Sequence, residues 1–397
     1  MKKYILLFSI ASILLAGCDD VVEYESALRD KQNENVSVNS YKISHAEALE
    51  FSNEVLKKIS TRSTPLSLPS FDYVVDVKTT RSTVSNDTLA YVINYPNEAG
   101  FVIVATDKRV NPLLAFSETG NFSFDNEIAK VNFIEKLGTY IEKSKSDTPY
   151  KFPDISFDNS RTVEPFIDAY LNQRSPWDKY VIMEHPGCPV GCVAVATAYV
   201  MSYSKEKLAY HGEEFLLRTI VSAIRNVAND QDQSENQTQV RGVNLLPPPS
   251  IYSYTWGQDK MAKLLYWIGK DVDMQYGTQS SGAYSEDAFN LCESLNFTIP
   301  SGFSEFNVNE IAKFLRTDHV IYLRGSNLKT MGGHAWVSDG CMSAVSAENP
   351  EKPMITYIHC NWGWGGNGNG YYKGDIFEVG DRTYKPLQFF AVKREWK

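Results

Sequence analysis

The run Gly191-Cys192-Val193-Ala194-Val195-Ala196-Thr197-Ala198 carries no charge and opens on a cysteine. From Cys192 to Met201 the chain reads as a helix of small and apolar side chains, one that packs closely in a core. Gly191 permits the tight turn from loop into helix. The cysteine then lies in the first helical turn, where unpaired backbone N–H groups and the positive helix end favour its thiolate. Thiolate is the nucleophilic form, so the chain presents a candidate nucleophile on a buried helix.

A nucleophile of this kind needs a base. Of six histidines, His334 is the one set in Gly332-Gly333-His334-Ala335-Trp336-Val337, where a polar ring interrupts an apolar strand. It follows Cys192 by 142 residues, inside the roughly 130–150 that separate a papain-like Cys from its His and Asn. Asn361, in His359-Cys360-Asn361-Trp362-Gly363-Trp364-Gly365-Gly366, is the candidate to orient the imidazole, with Trp362 shielding that bond from water. Other readings exist. A helix cysteine alone is a small hydrophobe, and His334 alone is a satisfied core histidine. Cys188 and Cys192 with His359-Cys360 have the makings of a zinc site, although Cys188 sits in a Gly/Pro turn. Cys188 could instead close a reversible disulfide on Cys192. His359 reads as packing, His185 as an exposed loop residue, and the Trp-Gly-Trp-Gly-Gly run as either an aromatic platform or a set of close turns.

These segments, Gly187-Cys188-Pro189-Val190-Gly191-Cys192-Val193-Ala194, then Gly332-Gly333-His334-Ala335, then Asn361-Trp362-Gly363-Trp364-Gly365-Gly366, resemble the streptopain family of papain-like bacterial cysteine peptidases. Trp256, Asp273-Met274-Gln275-Tyr276-Gly277 and Gly100-Phe101-Val102-Ile103-Val104-Ala105 with Asp107 extend the resemblance, the last to that family's inhibitory prosegment. It implies Cys192 as nucleophile, His334 as general base and acid, Asn361 as orienter with Trp362 beside it, and Gly333, Ser280, Ser281 and Gly282 along the substrate groove. The family's oxyanion amide is a Gln in a Trp-Asn-Gln stretch. Matched to Trp177-Asp178-Lys179, it leaves Lys179 as the candidate donor, and an ammonium is not a planar amide. Tyr199 stands where the family helix usually has Gln.

The N-terminus is an address. Lys2-Lys3, an apolar run from Tyr4 to Ala16 and Gly17-Cys18 form a secretory leader, and Leu15-Ala16-Gly17-Cys18 resembles a lipobox whose Cys18 is acylated. The apolar run is short of the ~20 residues a spanning helix needs. Loss of residues 1–17, with two lysines, takes the net charge from −9 to −11, which gives no electrostatic reason to bind nucleic acid.

Residues 18–41 read as a tether. Residues 42–150 form a small α+β unit: a helix after the Ser44-His45-Ala46-Glu47 capping box, a hairpin of Thr88–Tyr95 and Gly100–Thr106, and a helix near 126–144. With 43% apolar and 22% charged residues, the rest suits a globular domain, here 155–397. It has helices at Cys192–Met201, Glu213–Val227 and Lys260–Lys270, and strands at His319–Arg324, His334–Asp339, Met354–His359 and Tyr371–Lys373.

The expected fold is α+β: a papain-like domain whose helical part carries Cys and whose antiparallel sheet carries His and Asn, behind an inhibitory prosegment. The expected protein is an endopeptidase zymogen, lipid-anchored at the bacterial cell envelope, facing the periplasm or the cell surface, and activated by cleavage near 143–165, with release after processing as a further outcome. Its partners are protein or peptide substrates, its own prosegment and the membrane, with no metal or cofactor. A catalytically inactive binding or inhibitory lipoprotein on the same fold is the alternative, and it rests on Lys179.

Overall fold

Ser44 opens the first helix as its capping box foretells: Glu47 N–H donates to Ser44 Oγ at 3.3 Å, and Ser44 N–H to the Glu47 carboxylate at 2.9 Å. The helix, His45–Ile59, buries Ala48, Phe51, Val55 and Leu56. The coordinates are a computed structural model describing residues 41–59, 69–79, 84–123, 133, 135–147, 149–150, 155–225, 255–326, 333–345, 354–379 and 386–396. The leader, Cys18, the tether up to residue 40, the polar Asn229–Gln239 loop and Gly332 lie outside them. Among the described residues no helix is long and apolar enough to cross a membrane.

A four-stranded meander follows: β1 (Ser70–Thr79), β2 (Val84–Asn94), β3 (Phe101–Ala105) and β4 (Leu113–Ser117). The expected hairpin is β2–β3, closed by Asn94 opposite Phe101, with Asn97 and Glu98 at φ 58° and 53° in the turn. The second expected helix is described over Glu135–Ser144.

The larger part divides as expected between helices and sheet. Its helical half is built around Cys192–Ser204, whose residues after Cys192 are all buried. Trp256–Asp271, opened by a Thr255–Gln258 capping box, and Ser285–Ser294 complete that half. One expected helix is corrected at its start. Glu213–Phe215 is strand β7, paired with β6 (Leu208–Tyr210) through a turn at His211 and Gly212, and helix begins only at 217. The reason is that Leu208 and Phe215 face each other inward while the Glu213 carboxylate pairs with Lys260 and Lys263.

The sheet half is formed by β5 (Ser156–Val163), β8 (Ser304–Glu305), β9 (His319–Ser326), β10 (Gly333–Val345), β11 (Ile355–Asn361), β12 (Gly370–Lys373) and β13 (Gln388–Lys393). The meander does not stand apart from it. β4 pairs antiparallel with β12, Phe116 opposite Tyr371 and Ala115 opposite Tyr372, giving one 11-stranded sheet ordered β1-β2-β3-β4-β12-β11-β10-β9-β13-β8, with β5 on β10. One apolar cluster is shared accordingly: Phe101, Phe122, Phe133 and Leu137 pack with Trp336, Trp362, Tyr372 and Phe377. Lys136 is buried here and donates to the Val379 and Phe377 carbonyls at 2.7 and 3.3 Å.

Candidate active site

Gly191 turns the chain into the cysteine helix at φ +88°. A Cβ there would stand 2.6 Å from Met274 Sδ and 3.1 Å from the Ser281 carbonyl, so the position is closed to side chains. The same contact brings the 275–282 loop against the cysteine. Gln275 and Gly282 exchange hydrogen bonds at 2.8 and 3.1 Å, and Ser281 Oγ accepts from Gly277 N–H at 3.4 Å. Ser281 is buried, with Ser280 and Gly282 exposed beside it, while Gly333 is exposed at the start of β10. Cys192 is half-buried. Enclosure of its sulfur pushes the thiol's pKa up, and the backbone N–H groups of Ala335, Val193 and Cys192 itself pull the other way. The sulfur therefore lies against the residue that follows His334.

His334 is buried in β10 and flanked by Trp336, Trp362 and Trp364 at ring distances of 5.8 to 6.4 Å. Its Nε2 lies 3.0 Å from the Trp362 carbonyl. A carbonyl only accepts, so Nε2 carries the proton and Nδ1 holds the lone pair; Nδ1 has no hydrogen-bond partner. Burial lowers the imidazole pKa to about 4, the Trp362 carbonyl opposing it. At neutral pH thiol and imidazole are thus both uncharged.

The acceptor for His334 is a backbone carbonyl, whereas the sequence pointed to the Asn361 side chain. Asn361 acts one step back: its Oδ1 accepts from Gly363 N–H at 3.2 Å, within the turn that presents the carbonyl. Gly363 is needed there, since at φ +75° a Cβ would approach Val195 Cγ1 to 2.9 Å. Trp362 is anchored by Nε1 donating to Gly368 O at 3.0 Å and by N–H donating to Asn369 Oδ1 at 3.1 Å. From the other side, Gly368 N–H donates to Asn121 O at 3.0 Å, so the meander's 120–122 edge docks on this loop.

Lys179 is not held for an oxyanion. Its ammonium pairs with Asp259 and lies 5.2 Å from the Tyr180 ring centre. The adjacent Asp178 is buried, which raises its pKa. Sequence reasoning passed over Gln173. It is buried, and its carbonyl accepts from Val190 N–H at 3.0 Å, two residues before Cys192. Leu171-Asn172-Gln173 keeps the Asn-Gln of the Trp-Asn-Gln pattern, and that pair was the available signal.

Other candidates fall elsewhere. Cys188 and Cys192 are free thiols. Cys360 is enclosed in β11 beside the Trp336 indole. His359 Nδ1 is 2.6 Å from the buried Asp339 carboxylate, more than packing alone. His185 is half-buried and stacked on Tyr276 at 4.4 Å. Among the described residues no three His, Cys, Asp or Glu side chains gather as metal ligands would.

Residues 171–372 match the Peptidase C10 family, and residues 40–140 match the Spi protease inhibitor family. Streptopain of Streptococcus pyogenes is 27% identical over 310 residues, covering 72% of this chain and 73% of that one. Thiol protease/hemagglutinin PrtT of Porphyromonas gingivalis is 23% identical over 321 residues, covering 74% of this chain and 35% of that protein. A fragment of prointerpain A from Prevotella intermedia is similar in structure, with a TM-score of 0.49 and 20% identity over 81% of this chain and 98% of that one.

Proposed function

Since this chain belongs to the Peptidase C10 family and is a cysteine endopeptidase with a Spi-type inhibitor domain ahead of it, we propose that Cys192, His334 and Asn361 carry its chemistry. Cys192 attacks the peptide carbonyl carbon as thiolate, its proton passing to His334 Nδ1. The oxyanion takes the Cys192 N–H and the Gln173 amide. His334 then gives its proton to the departing amine, leaving a thioester. Water, deprotonated by His334, hydrolyses the thioester and returns the thiol. The observation that carries the reading is the Nε2 bond to the Trp362 carbonyl, which leaves Nδ1 as the free base. Gly333, Ser280, Ser281 and Gly282 border the groove, with Ser281 held against the cysteine turn. The inactive alternative rested on Lys179 as the oxyanion donor; with Lys179 paired to Asp259 and the Asn-Gln pair present at Asn172-Gln173, the amide that the mechanism needs is supplied by Gln173 instead.

The inhibitory domain acts from the 120–122 edge, which rests on the loop that sets His334. In this resting form the uncharged pair is inert, and cleavage near 143–165 frees the site. Leader removal and acylation of Cys18 anchor the zymogen in the cell envelope. The test follows the intact mass of residues 19–397 under mild reduction, beside Cys192→Ala. Self-processing of the first chain and not the second supports the reading, and an intact wild type that also fails to cleave peptides overturns it. Cys18→Ser in the full chain should move the protein out of the membrane fraction.

A further inference from the structure

Tyr199 lies seven residues beyond Cys192, on the same face of the helix. Its ring is enclosed, with 1% of its surface exposed. The phenol oxygen accepts from Leu171 N–H at 2.5 Å, and among the described residues its own proton is given one acceptor, the Leu171 carbonyl, 3.5 Å away. That carbonyl also accepts from Gly365 N–H at 2.9 Å. The backbone of one residue, Leu171, is therefore gripped by the helix on one side and by the 361–369 loop on the other. Asn361 lies against the same phenol oxygen, although its Nδ2 closes no hydrogen bond of ordinary length.

Both segments meeting at Tyr199 carry a working part of the site. Gln173 follows Leu171 by two residues, and Trp362, whose carbonyl fixes the His334 tautomer, precedes Gly365 by three. Leucine at position 171 has no side-chain polar group with which to hold its segment, so the tie has to come from outside. A hydroxyl at the end of a rigid ring buried in the nucleophile's own helix supplies it and holds the segment that carries Gln173 against that helix.

We propose that Tyr199 is a positioning residue, its hydroxyl fixing the Leu171–Gln173 segment, and with it the Gln173 amide, relative to Cys192. This rests on the catalytic reading above.

The test is Tyr199→Phe, which removes one oxygen and keeps the ring. On the mature peptidase obtained from the full chain, kcat should fall about tenfold or more, with KM within about twofold, because misplacing catalytic groups costs turnover rather than binding. Alkylation of Cys192 by iodoacetamide forms no oxyanion and should proceed within about twofold of the wild-type rate. In a Gln173→Ala background the same substitution should cost less than about twofold, since the group it positions is gone. The inference is overturned if Tyr199→Phe keeps its kcat, if its cost is undiminished without Gln173, or if the variant no longer melts cooperatively. An inactive wild type would mean that the underlying catalytic reading has failed. An active wild type with an equally active Tyr199→Phe would sink only the role of Tyr199.

Discussion

Burial holds the His334 imidazole neutral, and this ties the zymogen's stability to pH in a calculable way. The ring's pKa is about 4 in the folded chain, against about 6.5 in an unfolded one. A histidine with a depressed folded pKa favours the native state when neutral, so its contribution is full above 6.5 and is lost as pH falls towards 4. The gap corresponds to about 3 kcal/mol, most of it gone by pH 4.5. His334 is only 3% exposed, so solvent screening does not reduce this much. Against a typical stability of about 5–15 kcal/mol the loss is large. The assay is urea denaturation of residues 19–397 carrying Cys192→Ala, at pH 7.5 and 4.5, beside the same chain with His334→Gln. Carboxylates that titrate in this range are common to both chains, so the difference between the two pH dependences isolates the imidazole. We expect the histidine chain to lose about 2–3 kcal/mol more than the glutamine chain. Equal losses would refute the argument, because the proton would then be taken up elsewhere.

Gln173→Ala should lower kcat by roughly 10²–10³-fold, the usual cost of one oxyanion donor, while Lys179→Gln should stay within about twofold; steady-state kinetics on a peptide substrate separate the two. Gly191→Ala meets a left-handed backbone and the Met274 sulfur, so it should cost about 1–3 kcal/mol in denaturation and slow Cys192 alkylation. Phe133→Ala, whose ring packs 5.0 Å from Tyr372 and 6.2 Å from Phe377, should destabilise the zymogen by about 3–5 kcal/mol and speed its processing in a mass-resolved time course.

The nucleophile helix was legible because its residues are apolar on every side and a glycine marks its start. The β2–β3 hairpin and the strands carrying His334 and Asn361 announced themselves through short apolar runs between turn residues. Part of what stayed hidden has no side-chain signature. The partner of His334 is a main-chain carbonyl, which any residue at 362 would provide, so attention went to the Asn361 amide. Edge pairing of β4 with β12 is likewise a backbone event, and nothing in Phe116 or Tyr371 marks it. Gln173 was missed because Leu171 replaces the expected tryptophan and Trp177, six residues on, drew the motif out of register. The Glu213–Phe215 strand was absorbed into the helix after it because three residues are too few to show a period of two.

The sheet that crosses from meander to peptidase has a consequence for how activation is timed. Strands β1 to β4 are consecutive neighbours, the local kind of pairing that forms early, whereas β12 reaches β4 across about 250 residues of chain. The meander offers a finished template on which the late-closing peptidase strands assemble. Were proteolysis to remove the meander, that template would be gone. A peptidase freed in this way would carry a bare β12 edge open to new strands. Removal of the meander would then be a one-way step for each molecule, since any refolding would have to proceed without β4.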